Sequence, residues 1–391
     1  MFRKSKLKLL LPFAIIILLL FDLVLISKKV KPQSFVRVQT NPNSYISEKI
    51  KSCHVEDSNT ACLREASNDF LEHFKLKEIL DVFEKNERQG EFFALCHTAL
   101  HFLGQGVYTK EKNDQVGLSQ CSPVCFWACQ HGVLEGFLKE RNLTFDDEVL
   151  KKEVLVLCKR DAKKAKAQYN ECLHGLGHAL MFFTEGELPR SLKICDGLGG
   201  RDEQQWCYSG AFMENSNSST NKDHPPKYLK VDDTMYPCNV LDSKYLDMCY
   251  VFQGFYFAKL SNYEIEKTIR LCGQVPKSYQ ASCFRSIGQD RVGFTQDTAL
   301  MKDGCNKIEE GDNREACLQG VIGALAERYK GDYKRIIEFC TILDRDDKSL
   351  CYLHLKGTME DWIINKQELK NICQGIPEEE YRKQCLNTNK Y

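Results

Sequence analysis

Five of the nine histidines stand in three short segments: His97 and His101 in CHTALHFLG, His131 in CQHGVLEGF, and His174 with His178 in CLHGLGHAL. Each segment pairs potential donors four residues apart, Glu135 completing the pair begun by His131. On an α-helix such residues share a face with Cβ atoms about 5–6 Å apart, so each pair can grip one small ion. The six side chains form a candidate transition-metal site. Five imidazoles and one carboxylate suit zinc, copper or iron and not calcium or magnesium. Zinc is expected first, with copper close behind because histidine pairs on neighbouring helices also hold coupled copper ions. Six protein ligands exceed what one tetrahedral zinc takes. Either two ions sit about 3.5–4 Å apart, or one ion takes three or four of the side chains and the others orient them. Iron or manganese pairs in helical bundles use more carboxylates than Glu135 supplies, even with Glu214 as a possible addition. The plainer alternative is a hydrogen-bonded histidine cluster; His54, His73, His224 and His354 are read as ordinary histidines.

A metal with an open position would make the chain a metal-dependent enzyme, a hydrolase or an oxidoreductase, with Glu135 as general base or as a further ligand. No nucleophile elbow, phosphate loop, dinucleotide fingerprint or HExxH motif occurs, so no substrate is named. The alternative function is a non-catalytic binding scaffold or receptor with a structural metal or none.

The elements that must position these donors are legible in the cysteines, of which there are 20. An even, dense set reads as a disulfide framework in an oxidising compartment. Seven pairs recur with gaps of 11–14 residues: Cys158/Cys172, Cys195/Cys207, Cys238/Cys249, Cys272/Cys283, Cys305/Cys317, Cys340/Cys351 and Cys373/Cys385. Cys53/Cys62 is expected as an eighth. Cys96, Cys121, Cys125 and Cys129 allow three connectivities, or a metal or cluster held by CSPVCFWAC.

From Cys249 to Cys385 the second members repeat every 34 residues, the length of two helices and two turns. The fold class is therefore all-α, an α-solenoid-like array of helical hairpins whose inter-helix loops are stapled by disulfides. The period resembles tetratricopeptide hairpins in length alone; their tryptophan, leucine and glycine signature is not evident. Ser261 with Glu264 and Asn365 with Glu368 are expected to cap helices. Glycines three to six residues after the cysteines, in CFRSIGQDRVGF, CLQGVIGALAERY and CYLHLKGTMEDW, imply close helix approach, since each costs about 1 kcal/mol of helix propensity.

On this frame His131/Glu135 and His174/His178 share the offsets of two and six residues after a cysteine, which points them to one surface. His97 and His101 are out of that register by a residue. The C-terminal repeats from about Cys238 carry no candidate ligands and are expected to bind partners at most. Their aromatic run Tyr250–Leu260 either lines a groove or, as such runs more often do, fills the core.

Four basic residues, Arg3, Lys4, Lys6 and Lys8, precede an apolar run, which is expected to be an uncleaved transmembrane signal anchor. The expected organisation is a cytoplasmic basic tail at 1–8, the anchor at 9–27, a tether at 28–50, histidine-bearing repeats at 51–237 and 34-residue repeats at 238–391. This would be a single-pass membrane protein with its bulk extracytoplasmic, binding a small molecule, peptide or protein at its concave face. Residues 215–228 read as an inserted surface loop, and Asn142 and Asn217 head glycosylation triplets. Lys plus Arg equals Asp plus Glu at 54 each, so nucleic acid is not an expected partner.

Overall fold

The computed structural model describes residues 41–53, 60–140, 147–217 and 227–387. Among them every regular element is helical. The first eleven α-helices are α1 (Pro42–Ser52), α2 (Thr60–His73), α3 (Leu76–Asn86), α4 (Gly90–Glu111), α5 (Asp114–Gln120), α6 (Ala128–Lys139), α7 (Asp147–Val154), α8 (Lys166–Phe183), α9 (Leu188–Cys195), α10 (Arg201–Asn217) and α11 (Leu246–Leu260). The next are α12 (Ile265–Gly273), α13 (Gln280–Phe294), α14 (Thr298–Asn306), α15 (Asp312–Arg328), α16 (Tyr333–Thr341), α17 (Arg345–Met359), α18 (Lys366–Gln374) and α19 (Glu379–Asn387).

Two kinds of helix alternate, and their burial says why. Short helices carry one apolar stripe: α12 buries Ile265, Thr268 and Cys272, spaced three and four apart, and α16 buries Ile336, Phe339 and Cys340. Longer helices are buried on most faces, as α11 and α15 are. The long helices pack in chain order, α4 on α6, α6 on α8, α8 on α10, and so on through α11, α13, α15 and α17 to α19. Tyr250, Phe252, Tyr256 and Phe257 of the aromatic run lie in the core rather than in a groove.

All eight expected disulfides form, and the remaining four cysteines join as Cys96–Cys125 and Cys121–Cys129. No cysteine is left for a metal or cluster. In most of the regular pairs the first cysteine ends or follows a short helix and the second lies within the next helix, so the bridge closes a short loop and contributes about 3 kcal/mol by restricting the unfolded chain.

Three crossings bring helix backbones into contact through facing glycines. A Cβ on Gly132 of α6 would strike the His101 carbonyl of α4, one on Gly210 of α10 the His174 carbonyl of α8, and one on Gly320 of α15 the Arg285 carbonyl of α13. Gly104, Gly177 and Gly288 are their counterparts, against the carbonyls of Cys129, Cys207 and Cys317. The expected close approach thus holds at Gly288 and Gly320, but Gly323 and Gly357 face open space. Asn365 caps α18 through Gln367 and Glu368 N–H groups. Ser261 does not cap α12; it terminates α11 and its hydroxyl is buried without a partner.

Ile46–Tyr391 forms one compact unit, and α10 packs on α11 across the boundary expected at 237/238. The described part of the tether expected at 28–50 is helical, with Ile46 and Ile50 buried. The single-pass membrane localisation does not stand. Among the described residues no helix is long and apolar enough to cross a membrane, and the segment 9–27 expected to do so lies outside them. What the ten disulfides support is an oxidising, extracellular environment. His54, Asn142, His224 and 218–226 of the expected surface loop also lie outside the described residues.

Candidate metal centre

Three consecutive long helices supply the five imidazoles: α4 gives His97 and His101, α6 gives His131, and α8 gives His174 and His178. Their rings form one cluster. Ring centroids lie 4.7 Å apart for His97/His101 and 4.8 Å for His174/His178, and His131 is 5.3–5.7 Å from all four others. Space for the central ring comes from a glycine, because a Cβ on Gly175 of α8 would collide with His131.

An unusual stretch before α6 anchors His97. Cys125, Phe126 and Trp127 are all left-handed, with φ of 52°, 58° and 59°. Such a conformation costs roughly 1–2 kcal/mol per non-glycine residue, and the Cys96–Cys125 and Cys121–Cys129 bridges hold it. The stretch presents the Cys125 carbonyl to His97 Nδ1 at 2.9 Å.

Each of the four outer rings is anchored through Nδ1. His101 meets Glu135 Oε1 at 2.6 Å, His174 meets Ser209 Oγ at 2.7 Å, and His178 meets Glu214 Oε2 at 3.0 Å. The inward nitrogens face one another: Nε2 of His97 and His101 are 3.1 Å apart, as are those of His174 and His178. Proton placement follows from chemistry. A carbonyl only accepts, so His97 Nδ1 carries hydrogen; Ser209 donates its hydrogen to the Trp206 carbonyl at 2.6 Å, so His174 Nδ1 must donate to it. A neutral imidazole has one N–H, which leaves Nε2 of both rings as bare lone pairs pointing inward. Each facing pair can be satisfied by one positive centre between its nitrogens, a proton or a metal ion.

His131 sits between the pairs, 1% exposed, with neither ring nitrogen hydrogen-bonded. Two buried, unpartnered polar atoms on one side chain are costly, at about 1–3 kcal/mol each. One donor atom each from His97, His101 and His131 lies within 4.8 Å of the others, a group able to hold a metal ion. Burial holds four of the imidazoles in the uncharged form that ligates metal: His97 and His101 are pushed down to about 3, and His131 and His174 well below the ordinary histidine range, with neighbouring rings adding to the effect. His97 alone keeps part of its surface in solvent.

Compared with protein-family models and with curated proteins, the chain matches none.

Glu135 is 2% exposed, and both its oxygens are engaged, one by His101 and the other by Gln105 Nε2 at 2.7 Å. It stands behind an imidazole, in the position of a group that orients a ligand, and burial pushes its carboxyl up to about 8. Several contributors were not singled out as such from the sequence. Ser209 and the Cys125 carbonyl anchor two rings. Glu171 of α8 places Oε2 3.9 Å from His131 Nε2, and burial, then Glu327, holds its carboxyl well above the usual range. Glu327 belongs to α15, and burial pushes it up to about 7. The C-terminal repeats therefore do reach the site. Arg328 stacks on Phe93 at 3.8 Å, and Lys330 pairs with Glu84 and Glu87. A faint signal existed for Ser209, which precedes Gly210 as His131 precedes Gly132. Outside the cluster, His73 bonds the Asp69 carbonyl and His354 bonds Glu315 at 2.8 Å.

Proposed function

We propose that this chain is a transition-metal-binding protein of an oxidising environment, an α-solenoid-like array of stapled hairpins whose N-terminal helices converge imidazoles on the metal. The observation that carries the proposal is His131, a buried ring with no hydrogen bond at either nitrogen, packed among four rings whose Nε2 atoms face one another in pairs. Neutral nitrogen donors favour zinc or copper, with iron next. Glu135, Glu214, Ser209 and the Cys125 carbonyl act as positioning groups that fix which ring nitrogen faces the ion.

A second reading, a metal-dependent hydrolase or oxidoreductase, is favoured by the Glu171 carboxylate 3.9 Å from His131, with Glu327 interacting with Glu171 in turn. Burial raises the proton affinity of both carboxyls, and Glu135, with both oxygens engaged, is less free to exchange a proton with a substrate.

The test is elemental analysis and native mass spectrometry of the full chain produced with its disulfides formed. Wild-type protein is expected to hold metal in simple ratio to chain. A His174→Ala, His178→Ala double variant is expected to keep its helical circular dichroism and to lose metal. Wild-type protein that takes up none from zinc or copper solutions, or a variant with undiminished content, would overturn the proposal.

A further inference from the structure

We propose that the centre holds two metal ions, one at each facing histidine pair, with His131 bridging them as an imidazolate. This rests on the metal-binding function proposed above and adds the number of ions and the group that links them.

Three observations lead to it. First, the two pairs are built alike although they come from different helices. In each, one ring is anchored by a neutral acceptor, the Cys125 carbonyl for His97 and the Ser209 hydroxyl for His174. The other ring of each pair is anchored by a carboxylate, Glu135 for His101 and Glu214 for His178. Each pair also has the same 3.1 Å Nε2 separation. Two equivalent half-sites are what two equivalent cations require. Second, the group within mutual reach of one ion is His97, His101 and His131, which leaves His174 and His178 outside it and facing each other.

Third, His131 offers a nitrogen in both directions. Its Cδ2 faces Gly175 of α8 and its Nε2 faces Glu171 of α8, so the Nε2–Cδ2 edge lies against α8. The Nδ1 edge is then turned away from α8. Neither nitrogen has a hydrogen-bond partner, and a ring that binds a single ion would leave the second one without one.

Chemically, neutral His131 enters with one ring N–H. When the second ion binds, that N–H bond breaks, its electron pair stays on the ring as the new metal ligand, and the proton leaves to the buffer. The resulting anion lies between two dications and offsets their repulsion.

Copper(II) is the probe, because two ions joined by an imidazolate couple their spins. The full chain is titrated with copper(II), ions per chain are counted by native mass spectrometry, and the electron paramagnetic resonance signal is integrated. Wild-type protein is expected to saturate at two ions with most of its low-temperature signal lost. His131→Ala is expected to show the signal of uncoupled copper. His97→Ala, His101→Ala is expected to bind one ion with a full signal, and it serves if the His131 variant fails to fold. Saturation at one ion, or at two with the full uncoupled signal, overturns the bridge and leaves the metal-binding proposal standing. Saturation at none overturns both.

Discussion

The crossing of α13 on α15 and those of α4 on α6 and α8 on α10 share a backbone design and differ in what they point inward. In all three, a glycine of one helix rests on a carbonyl of the other, and the residue owning that carbonyl is His101, His174 or Arg285. At the C-terminal crossing most inward groups bond each other, with Arg285 Nε and Gln289 Oε1 left over: Arg285 donates to Gln319, Gln319 approaches His354 at 3.1 Å, and His354 meets Glu315. At the N-terminal crossings the inward groups are imidazole nitrogens that face one another in pairs, with His131 hydrogen-bonded at neither nitrogen. The scaffold and the metal chemistry are therefore separable. A glycine crossing brings two helices close enough for their side chains to meet, and the side chains decide whether the junction closes by itself or needs an ion.

Substitution at the crossings breaks the comparison most sharply. Overpacking a tight contact costs about 1–3 kcal/mol, so Gly132→Ala, Gly210→Ala and Gly320→Ala should each lower the denaturant midpoint by a similar amount. Metal content should fall in the first two and stay constant in the third. Equal metal loss in all three would mean that the site depends on global stability and not on local helix spacing.

Removal of metal is the next largest effect. A ligand present at about a hundred times its dissociation constant stabilises the fold that binds it by about 2.7 kcal/mol. Chelation should lower the thermal midpoint of wild-type protein measurably and lower that of His174→Ala, His178→Ala by less. A midpoint indifferent to chelator in both proteins would indicate that the histidines pack without an ion.

Much of the scaffold was legible because disulfides and helix length constrain each other. A loop of 11–14 residues between cysteines near facing helix ends admits few alternatives, and eight bridges followed from spacing. The centre was half legible. Donors four apart on α4 and α8 announce themselves, but the carbonyl that anchors His97 comes from a stretch of three left-handed residues, Cys125–Trp127, whose types do not advertise that conformation. Glu171 and Glu327 come together only because the last turn of α15 returns to the N-terminal helices, a contact between residues far apart in the chain. The Ser261 cap failed for a different reason, since a serine four residues before a helix can equally end the previous one.

The carboxylates behind the rings sharpen the contrast between the junctions. Glu135→Gln keeps an oxygen for His101 Nδ1 but sets an amide NH2 against the Gln105 NH2, so the ring loses its fixed orientation. Metal affinity should drop about 10–100-fold, the usual effect of losing a group that orients a ligand. Glu315→Gln, which loosens His354 in the C-terminal network, should leave affinity unchanged. A drop in both, read by competition with a chromophoric chelator, would erase the distinction between the two regions.

The smallest effect concerns glycines that resemble the crossing residues in sequence and not in surroundings. Gly320 and Gly323 are both interior to α15, three residues apart, yet a Cβ on Gly320 meets the Arg285 backbone and one on Gly323 meets nothing within 4 Å. Gly357 of α17 is likewise open. With no contact to disturb, alanine at either open position gains the propensity difference, about 0.5–1 kcal/mol of added stability. Gly323→Ala and Gly320→Ala should therefore shift the urea midpoint in opposite directions within a single helix. A loss at Gly323 would mean that something packs on that face of α15 in solution, and the crossing would then be wider than one glycine pair.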